Sequence, residues 1–158
     1  MVDSSGSIKK SGPCIINPFD PKKIKTDTTM VIIGRRGSGK STVVRWICYY
    51  LKKKIRFPLV VCATEDSHND YKGIVPGSCI YTKYNPDILK ELIKQQKMLT
   101  ILDKKKDPRY HGKVIKALVL MDDVLSDVKA MKKDNSFSQC FFEGRHDNIT
   151  FLITASPF

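Results

Sequence analysis

The sequence predicts an α/β fold, a three-layer α/β/α sandwich built on a mostly parallel sheet. Short apolar segments of β character alternate with segments of helical periodicity along most of the 158 residues. The apolar run at 58–62, PLVVC, is unbroken, which is typical of a parallel strand that is covered on both faces. Such alternation predicts a single sheet with right-handed crossovers between its strands.

The predicted strands and helices follow one another in a regular order. Strands are expected at 29–33, 58–62, 79–82, 117–121 and 149–154. Helices are expected at 39–54, at 85–102 and from about 124 to 142.

Helical spacing and capping residues support the first two helices. Asn85 is the expected N-cap of the second helix, with Pro86 at its first position. Trp46 and Tyr50 lie beside the apolar stripe of the first helix and are candidates to extend it. The stripe expected to face the core is Val43, Val44, Ile47 and Leu51.

The chain is expected to form one core domain at 29–158, preceded by a partly ordered N-terminal extension at 1–28. A chain of this length can bury a core as one domain, and 41% of its residues are hydrophobic. No apolar run approaches the roughly 20 residues that a membrane-spanning helix needs. The N-terminus has no apolar signal region, so secretion is not expected.

The chain carries a net charge of +12, with 28 Lys and Arg residues against 16 Asp and Glu residues. This excess fits a polyanionic partner, with nucleic acid as the first candidate. A solvated basic surface explains the excess equally well. The basic loop at 103–113, DKKKDPRYHGK, is one candidate for contact with DNA.

Residues 34–41 read G-R-R-G-S-G-K-S and satisfy the pattern G-x-x-x-x-G-K-[ST] in full. They stand between a predicted strand and a predicted helix, which is the context of a phosphate-binding P-loop. Glycines let the backbone turn its N–H groups toward a phosphate, and the helix N-terminus adds a positive dipole. The residues predicted to bind the nucleotide are Gly34, Arg35, Arg36, Gly37, Ser38, Gly39, Lys40, Ser41 and Thr42.

Side chains in this P-loop have distinct expected roles. Lys40 is expected to reach the β- and γ-phosphates of ATP, and the Ser41 hydroxyl to help hold Mg²⁺. Arg35 and Arg36 are candidates to contact phosphate or a neighbouring subunit, and exposure to solvent is an equal alternative. A glycine-rich turn that matches the pattern by chance is the alternative to the whole site.

An acidic pair, Asp122 and Asp123, ends the predicted strand 117–121. Open α/β sheets bind ligands at the carboxyl ends of their strands, so this pair is the predicted partner of the P-loop. Asp122 would hold Mg²⁺ through water, and Asp123 would polarise the attacking water as a general base. The alternative is a helix cap or turn pair that leads into the next helix.

Together these motifs resemble a known family, the A32-like genome-packaging ATPases of large nucleocytoplasmic DNA viruses, in the FtsK–HerA group of P-loop motors. The resemblance covers about 19–154. It rests on five segments in order, FDPKKIK, VIIGRRGSGKS, VVCATEDSHNDYKGIVP, LVLMDDV and FFEGRHDNITFLIT. The G-R-H segment before the last strand makes the resemblance specific.

The resemblance implies an Mg²⁺-dependent ATPase that moves viral double-stranded DNA into a capsid as a homo-oligomeric ring. ATP and Mg²⁺ are the implied cofactors. Arg145, in the G-R-H segment, is a candidate arginine finger that reaches the γ-phosphate of a neighbouring subunit, and a structural arginine is the alternative. Capsid or viral membrane components are further candidate partners, and the host cytoplasm (the virus factory) or the virion is the implied location.

Two features depart from the family pattern. Related motors usually end the strand at 149–154 with a polar sensor, often Gln, whereas Ser156 stands at that position here. The usual last strand is also expected to be missing, which would leave strand 29–33 without a neighbour on one side. Either this copy is shortened, or another segment such as 15–19 fills the gap.

Two functions follow from the sequence. The first is an ATP-driven motor for packaging viral DNA. The second is a truncated nucleotide- or DNA-binding remnant without efficient hydrolysis, which the missing sensor and strand favour. A cellular-type DNA helicase or pilus-like motor would share only the P-loop.

Overall fold

The computed structural model describes residues 19–64, 69–112, 114–124 and 128–156, which form one parallel sheet with helices on both faces. The predicted α/β sandwich is confirmed. Five strands make up the sheet: β1 (Thr29–Ile33), β2 (Phe57–Cys62), β3 (Ile80–Tyr81), β4 (Ala117–Asp122) and β5 (Ile149–Ala155). Their spatial order is β1-β5-β4-β2-β3, and each neighbouring pair is parallel.

Four named α-helices connect these strands. They are α1 (Lys40–Leu51), α2 (Pro86–Lys104), α3 (Val128–Lys133) and α4 (Asn135–Glu143). Short 3₁₀ helices are formed by Pro21–Lys23, Gly77–Cys79 and Gly144–Asp147. Within the described part of the chain, no helix is both long and apolar enough to cross a membrane.

One helix was predicted from about 124 to 142, and this prediction is wrong, because α3 and α4 are separate helices. Asp134 stands between them in an extended conformation, with φ −95°. Its carboxylate accepts the Ser136 N–H at 2.9 Å and so caps α4. Short acidic side chains bond to nearby backbone groups more readily at a cap than in a helix interior, which explains the break.

The helix α1 buries one stripe against the first face of the sheet. Val44, Ile47 and Leu51 are at most 2% exposed in the first apolar core. Val43 and Trp46 are 38% and 46% exposed, so the predicted stripe was drawn too wide. The buried residues of α1, Val44, Ile47, Cys48 and Leu51, repeat every three or four positions, and Val43 lies outside that stripe.

The second apolar core lies on the other face of the sheet, beneath α2 and α4. Leu89 and Ile93 of α2 and Cys140 of α4 are buried there against β4 and β5. Phe151 of β5 is fully buried and packs edge-to-face against Phe137 and Phe141. Both faces of the central strands are therefore covered, as their unbroken apolar sequences predict.

The strand β1 lies at one end of the sheet and pairs only with β5 among the described residues. Val31 and Ile33 are 50% and 68% exposed on it. Within residues 19–156 as far as they are described, this agrees with the expectation that β1 lacks a second neighbour. The segment expected to fill the gap falls at 15–18 outside the described residues, and Phe19 is exposed.

The described part of the N-terminal extension is joined to the sheet. The Phe151 N–H donates to Thr28 O at 3.0 Å, and the Asp27 N–H donates to Thr150 Oγ1 at 3.0 Å. Lys116 Nζ lies 2.7 Å from Asp27 Oδ2. These contacts extend the pairing of β1 and β5 toward the N-terminal edge of the sheet.

The cap of α2 yields a test of the fold. Asn85 Oδ1 accepts the Asp87 N–H at 2.9 Å. We expect Asn85→Ala to lower the free energy of unfolding by about 1 kcal/mol, because that N–H loses its acceptor. Asn85→Ser keeps an acceptor and is the control. Urea unfolding followed by circular dichroism measures both, and equal midpoints for wild type and the Ala variant would contradict the prediction.

Candidate nucleotide site

The P-loop joins β1 to α1, and its glycines are required by its backbone. Gly37 and Gly39 have φ values of 74° and 85°, in the left-handed region that glycine adopts without strain. A Cβ on Gly34 would lie 2.7 Å from Ser38 Oγ and 3.3 Å from Lys40 Cγ. The loop therefore folds closely over the side chain that begins α1.

Lys40 is held across this loop by two backbone carbonyls. Its ammonium donates to Gly34 O at 2.7 Å and to Arg35 O at 2.9 Å. An ammonium has three N–H donors, so one remains beyond these two contacts. The geometry thus anchors a positive charge over the loop and leaves donor capacity for an anion.

The other polar residues of the loop differ in exposure. Arg35, Arg36 and Ser38 are exposed, and Ser41 is half-buried at the start of α1. Thr42 is exposed, and its hydroxyl accepts from Arg45 Nη2 at 3.4 Å. Exposure of both loop arginines agrees with the alternatives drawn from the sequence and does not decide between them.

The acidic pair divides between two environments. Asp122 ends β4 and is only 3% exposed. The Tyr71 hydroxyl donates to Asp122 Oδ2 at 2.6 Å, and the Thr154 hydroxyl donates to Asp122 Oδ1 at 2.7 Å. Asp123 is exposed and has a left-handed backbone, with φ 51°. Adjacent carboxylates are therefore turned to different surroundings.

Thr154 of β5 connects the two acidic residues. Its hydroxyl donates to the Asp122 carboxylate and accepts the Asp123 N–H at 2.9 Å. That second bond stabilises the left-handed turn at which the chain leaves β4. Ser156, at the position where a longer sensor residue was expected, has its Oγ 3.5 Å from Asp123 Oδ1. The serine hydroxyl thus lies beside the exposed carboxylate.

The parallel register brings the P-loop and the acidic pair to one edge. Ile33 of β1 is level with Ala155 of β5, and Met121 of β4 is level with Ile153. Only β5 separates β1 from β4, so the ends of these two strands lie about 10 Å apart, twice the usual strand spacing. The predicted site residues of these two motifs are neighbours in the fold, and their catalytic roles remain predictions.

Arg145 is placed elsewhere. It lies in the 3₁₀ helix Gly144–Asp147, which precedes β5, whereas the P-loop lies beyond the other end of the sheet. The seven residues of β5 separate the two edges by roughly 20 Å. Arg145 is exposed, and its Nε lies 3.4 Å from His146 Nε2. The chain's own P-loop and Arg145 are therefore not brought together.

Apolar surroundings beneath Asp122 favour the neutral forms of nearby groups. Burial, and then the charge of Asp122, raise the pKa of the Cys48 thiol to about 12 and that of Cys62 to about 11. The same two causes raise the pKa of Tyr71, whose hydroxyl therefore stays protonated and remains a donor. Asp122 is held by neutral donors in a poorly solvated setting.

The residues of the site fit a magnesium ion by their chemistry. Ser41 and Asp122 offer hydroxyl and carboxylate oxygens, the ligands that Mg²⁺ prefers. A carboxylate has about four lone-pair positions, and Tyr71 and Thr154 occupy one on each oxygen. Asp122 therefore retains acceptor positions for a metal-bound water.

Sequence reasoning missed three contacts around this site. Tyr71 and Thr154 bond Asp122, and Asp70 pairs with Arg45 of α1 at 2.8 Å. A hydroxyl residue in the apolar run ITFLIT was a signal for Thr154. Tyr71 and its partner Asp122 are 51 positions apart in the chain, so no local pattern could indicate their contact.

A family profile described as Poxvirus A32 protein matches residues 17–157. The chain belongs to this family. Relatives of this chain occur in large DNA viruses. Two of them are uncharacterized protein L437 of Acanthamoeba polyphaga mimivirus and uncharacterized protein 015R of Frog virus 3. The identities are 32% and 31%, over 86% and 84% of this chain.

These two matches cover 48% and 39% of the viral relatives, so the chain spans half or less of their length.

Solved structures share the fold at 16% sequence identity. EssC (ATPases 2 and 3) from Geobacillus thermodenitrificans gives a TM-score of 0.62, over 83% of this chain and 28% of that one. The pCW3 conjugation coupling protein TcpA, solved with ATPγS, gives a TM-score of 0.56, over 82% of this chain and 43% of that one. This chain thus has the fold of P-loop ATPase domains.

The close packing at Gly34 yields a test of the site. We expect Gly34→Ala to weaken nucleotide affinity about tenfold, because the new Cβ would lie 2.7 Å from Ser38 Oγ and would crowd the Lys40 side chain at 3.3 Å, which disturbs the loop. Gly77→Ala is the control, since an added Cβ there meets no atom within 4 Å. Titration with a fluorescent ATP analogue measures both variants. Equal affinities for Gly34→Ala and wild type would contradict the role assigned to the loop.

Proposed function

We propose that this chain is the nucleotide-hydrolysing core of an Mg²⁺-dependent motor that packages viral double-stranded DNA. The observation that carries the proposal is the meeting of the P-loop and the acidic pair at one edge of the sheet, in a member of the A32 family. The P-loop ATPase fold supports nucleotide binding. Coupling to DNA rests on family membership and on charge.

Each side chain of the site has its own role in the proposed reaction. Lys40 binds the β- and γ-phosphates and stabilises the charge that develops on them. Asp123, exposed beside Ser156, orients and deprotonates the attacking water. Ser41 and Asp122 would hold the magnesium ion, Asp122 through water, and the ion would offset phosphate charge. The buried setting of Asp122 keeps its carboxylate in one orientation.

Arg145 acts on a neighbouring subunit in this proposal. Its place at the edge opposite to the P-loop separates it from its own nucleotide site, and the proposal therefore assigns it to the nucleotide site of the next copy in a ring. A ring also accounts for a motor that encloses its polymer. The requirement for a second copy makes this role testable by mixing variants.

The edge of the sheet that carries Arg145 is also the proposed contact surface for DNA. Residues that precede β2 and β4 lie there because every strand is parallel. The exposed basic residues in these segments are Lys52, Lys53, Lys54, Arg56, Lys104, Lys105, Lys106 and Arg109. Such a concentration of charge suits the phosphate backbone and predicts binding that weakens steeply with salt. The basic loop at 103–113 contributes four of these residues.

The alternative is a remnant that binds nucleotide or DNA without efficient hydrolysis. Ser156 favours it, because a serine is shorter than the sensor glutamine expected at that position. The two functions differ in one measurement. A remnant binds ATP without releasing phosphate, whereas the motor core releases phosphate and does so faster with DNA.

Removal of the P-loop lysine tests the enzyme directly. We expect Lys40→Ala to lower phosphate release by about a hundredfold or more with double-stranded DNA present, because the phosphates lose a fixed positive charge. Lys94→Ala, at an exposed position of α2, is the control and should keep wild-type turnover. Turnover in wild type no higher than in Lys40→Ala would remove the hydrolysis claim and leave the remnant.

A mixing experiment tests Arg145. Arg145→Ala should lose about a thousandfold in turnover if the guanidinium completes a neighbour's site. Mixing Arg145→Ala with Lys40→Ala should restore part of the activity, because each supplies what the other lacks at a shared interface. Mixing Arg145→Ala with the double variant Lys40→Ala/Arg145→Ala restores none and is the control. Wild-type turnover in Arg145→Ala would assign this arginine a structural role.

A further inference from the structure

Asp122 is bonded on both carboxylate oxygens by hydroxyl groups from different parts of the chain. Thr154 belongs to β5, the adjacent strand, and donates to Oδ1. Tyr71 belongs to the segment that follows β2 and donates to Oδ2. A carboxylate with a donor on each oxygen cannot rotate without losing one of them. The pair of contacts thus selects one orientation for Asp122.

Tyr71 is itself rigidly placed. Its side chain is fully buried in the first apolar core, with Val44 and Cys48 of α1 among the residues of the same cluster. A buried tyrosine hydroxyl requires a hydrogen-bond partner, and Asp122 provides it. Core packing thus holds the Tyr71 ring, and the end of β4 holds the Asp122 carboxylate to which its hydroxyl is bonded.

The preceding residue ties the same segment to α1. Asp70 Oδ1 lies 2.8 Å from Arg45 Nη1, and Arg45 Nη2 also reaches Thr42 Oγ1 at 3.4 Å. Both of these partners belong to the helix that begins with Lys40 and Ser41. Consecutive residues 70 and 71 therefore join the helix of the P-loop to the acidic end of β4.

We propose that Tyr71 is a positioning residue, which holds Asp122 so that its remaining lone pairs face the metal and nucleotide at the P-loop. The inference rests on the proposed function, since it assigns to Asp122 a metal-bound water. Partners of this kind around a metal site raise affinity by fixing ligand orientation. Asp70 and Arg45 keep the segment that carries Tyr71 in register with the P-loop helix.

Tyr71→Phe removes the hydroxyl and keeps the ring. We expect it to weaken Mn²⁺ affinity in the presence of ATP about tenfold, measured by electron paramagnetic resonance with Mn²⁺ in place of Mg²⁺. Affinity for a fluorescent ATP analogue in EDTA should stay within about twofold of wild type, because the P-loop contacts are unchanged. The magnesium concentration for half-maximal turnover should rise in parallel.

The chain offers a matched control in a second tyrosine–aspartate pair. The Tyr84 hydroxyl donates to Asp134, and Tyr84 packs against the second apolar core on the other face of the sheet. Tyr84→Phe should lower stability in urea and leave Mn²⁺ affinity unchanged. A merely structural role for Tyr71 would make the two variants behave alike.

The outcomes separate this inference from the proposed function. If wild type binds Mn²⁺ with ATP and Tyr71→Phe binds it equally well, the positioning role is wrong and the ATPase proposal stands. If wild type binds no Mn²⁺ in the presence of ATP, both proposals are wrong. Should Tyr71→Phe fail to fold, Asp70→Asn breaks the half-buried pair with Arg45 and should weaken Mn²⁺ affinity about threefold, a smaller effect in the same direction. Unchanged affinity in that variant would overturn the inference.

Discussion

The candidate site depends on the position of β5 between β1 and β4. Because all three strands are parallel and in register, the loop after β1 and the acidic pair after β4 emerge at the same edge. The strand between them is not a passive spacer. Thr154 at its end bonds both the Asp122 carboxylate and the Asp123 backbone, so the sheet itself sets the spacing and the turn of the acidic pair.

That turn gives two identical side chains different chemistry. Asp122 is buried, and neutral hydroxyl donors satisfy both of its oxygens, so its position is defined before any ligand binds. Asp123 points outward from a left-handed backbone and lies beside Ser156. A fixed carboxylate suits the holding of a cation, and an exposed one suits exchange of a proton with water. Asp122 and Asp123 are the same residue type at adjacent positions, so the difference in their burial is set by the fold and not by the local sequence.

The two edges of the sheet carry different surfaces. The carboxyl edge contains the P-loop and the acidic pair, whereas the amino edge contains the basic segments before β2 and β4 and the arginine of the G-R-H segment. The proposed nucleotide and DNA contacts of one chain therefore lie at opposite edges of its sheet.

The sequence by itself determined the class of the fold and the motif that is predicted to bind phosphate. Unbroken apolar runs specified parallel strands, glycine spacing specified the P-loop, and Asn85 specified the start of α2, because each is a local pattern with a local cause. Local patterns failed where two local choices compete. Asp134 ended a predicted helix by capping the next one, and Val43 was placed in the core although the helical turn points it outward.

Only the tertiary structure decided which distant residues complete the site and which do not. Tyr71 and Asp122 are brought together by the packing of α1 against the sheet, over a separation that no periodicity encodes. Arg145, which the sequence grouped with the catalytic residues, is set at the opposite edge because it precedes β5, whereas the P-loop follows β1 and the acidic pair ends β4, and all three strands are parallel. Strand direction is a property of the assembled sheet, and it is this property that assigns each motif to its edge.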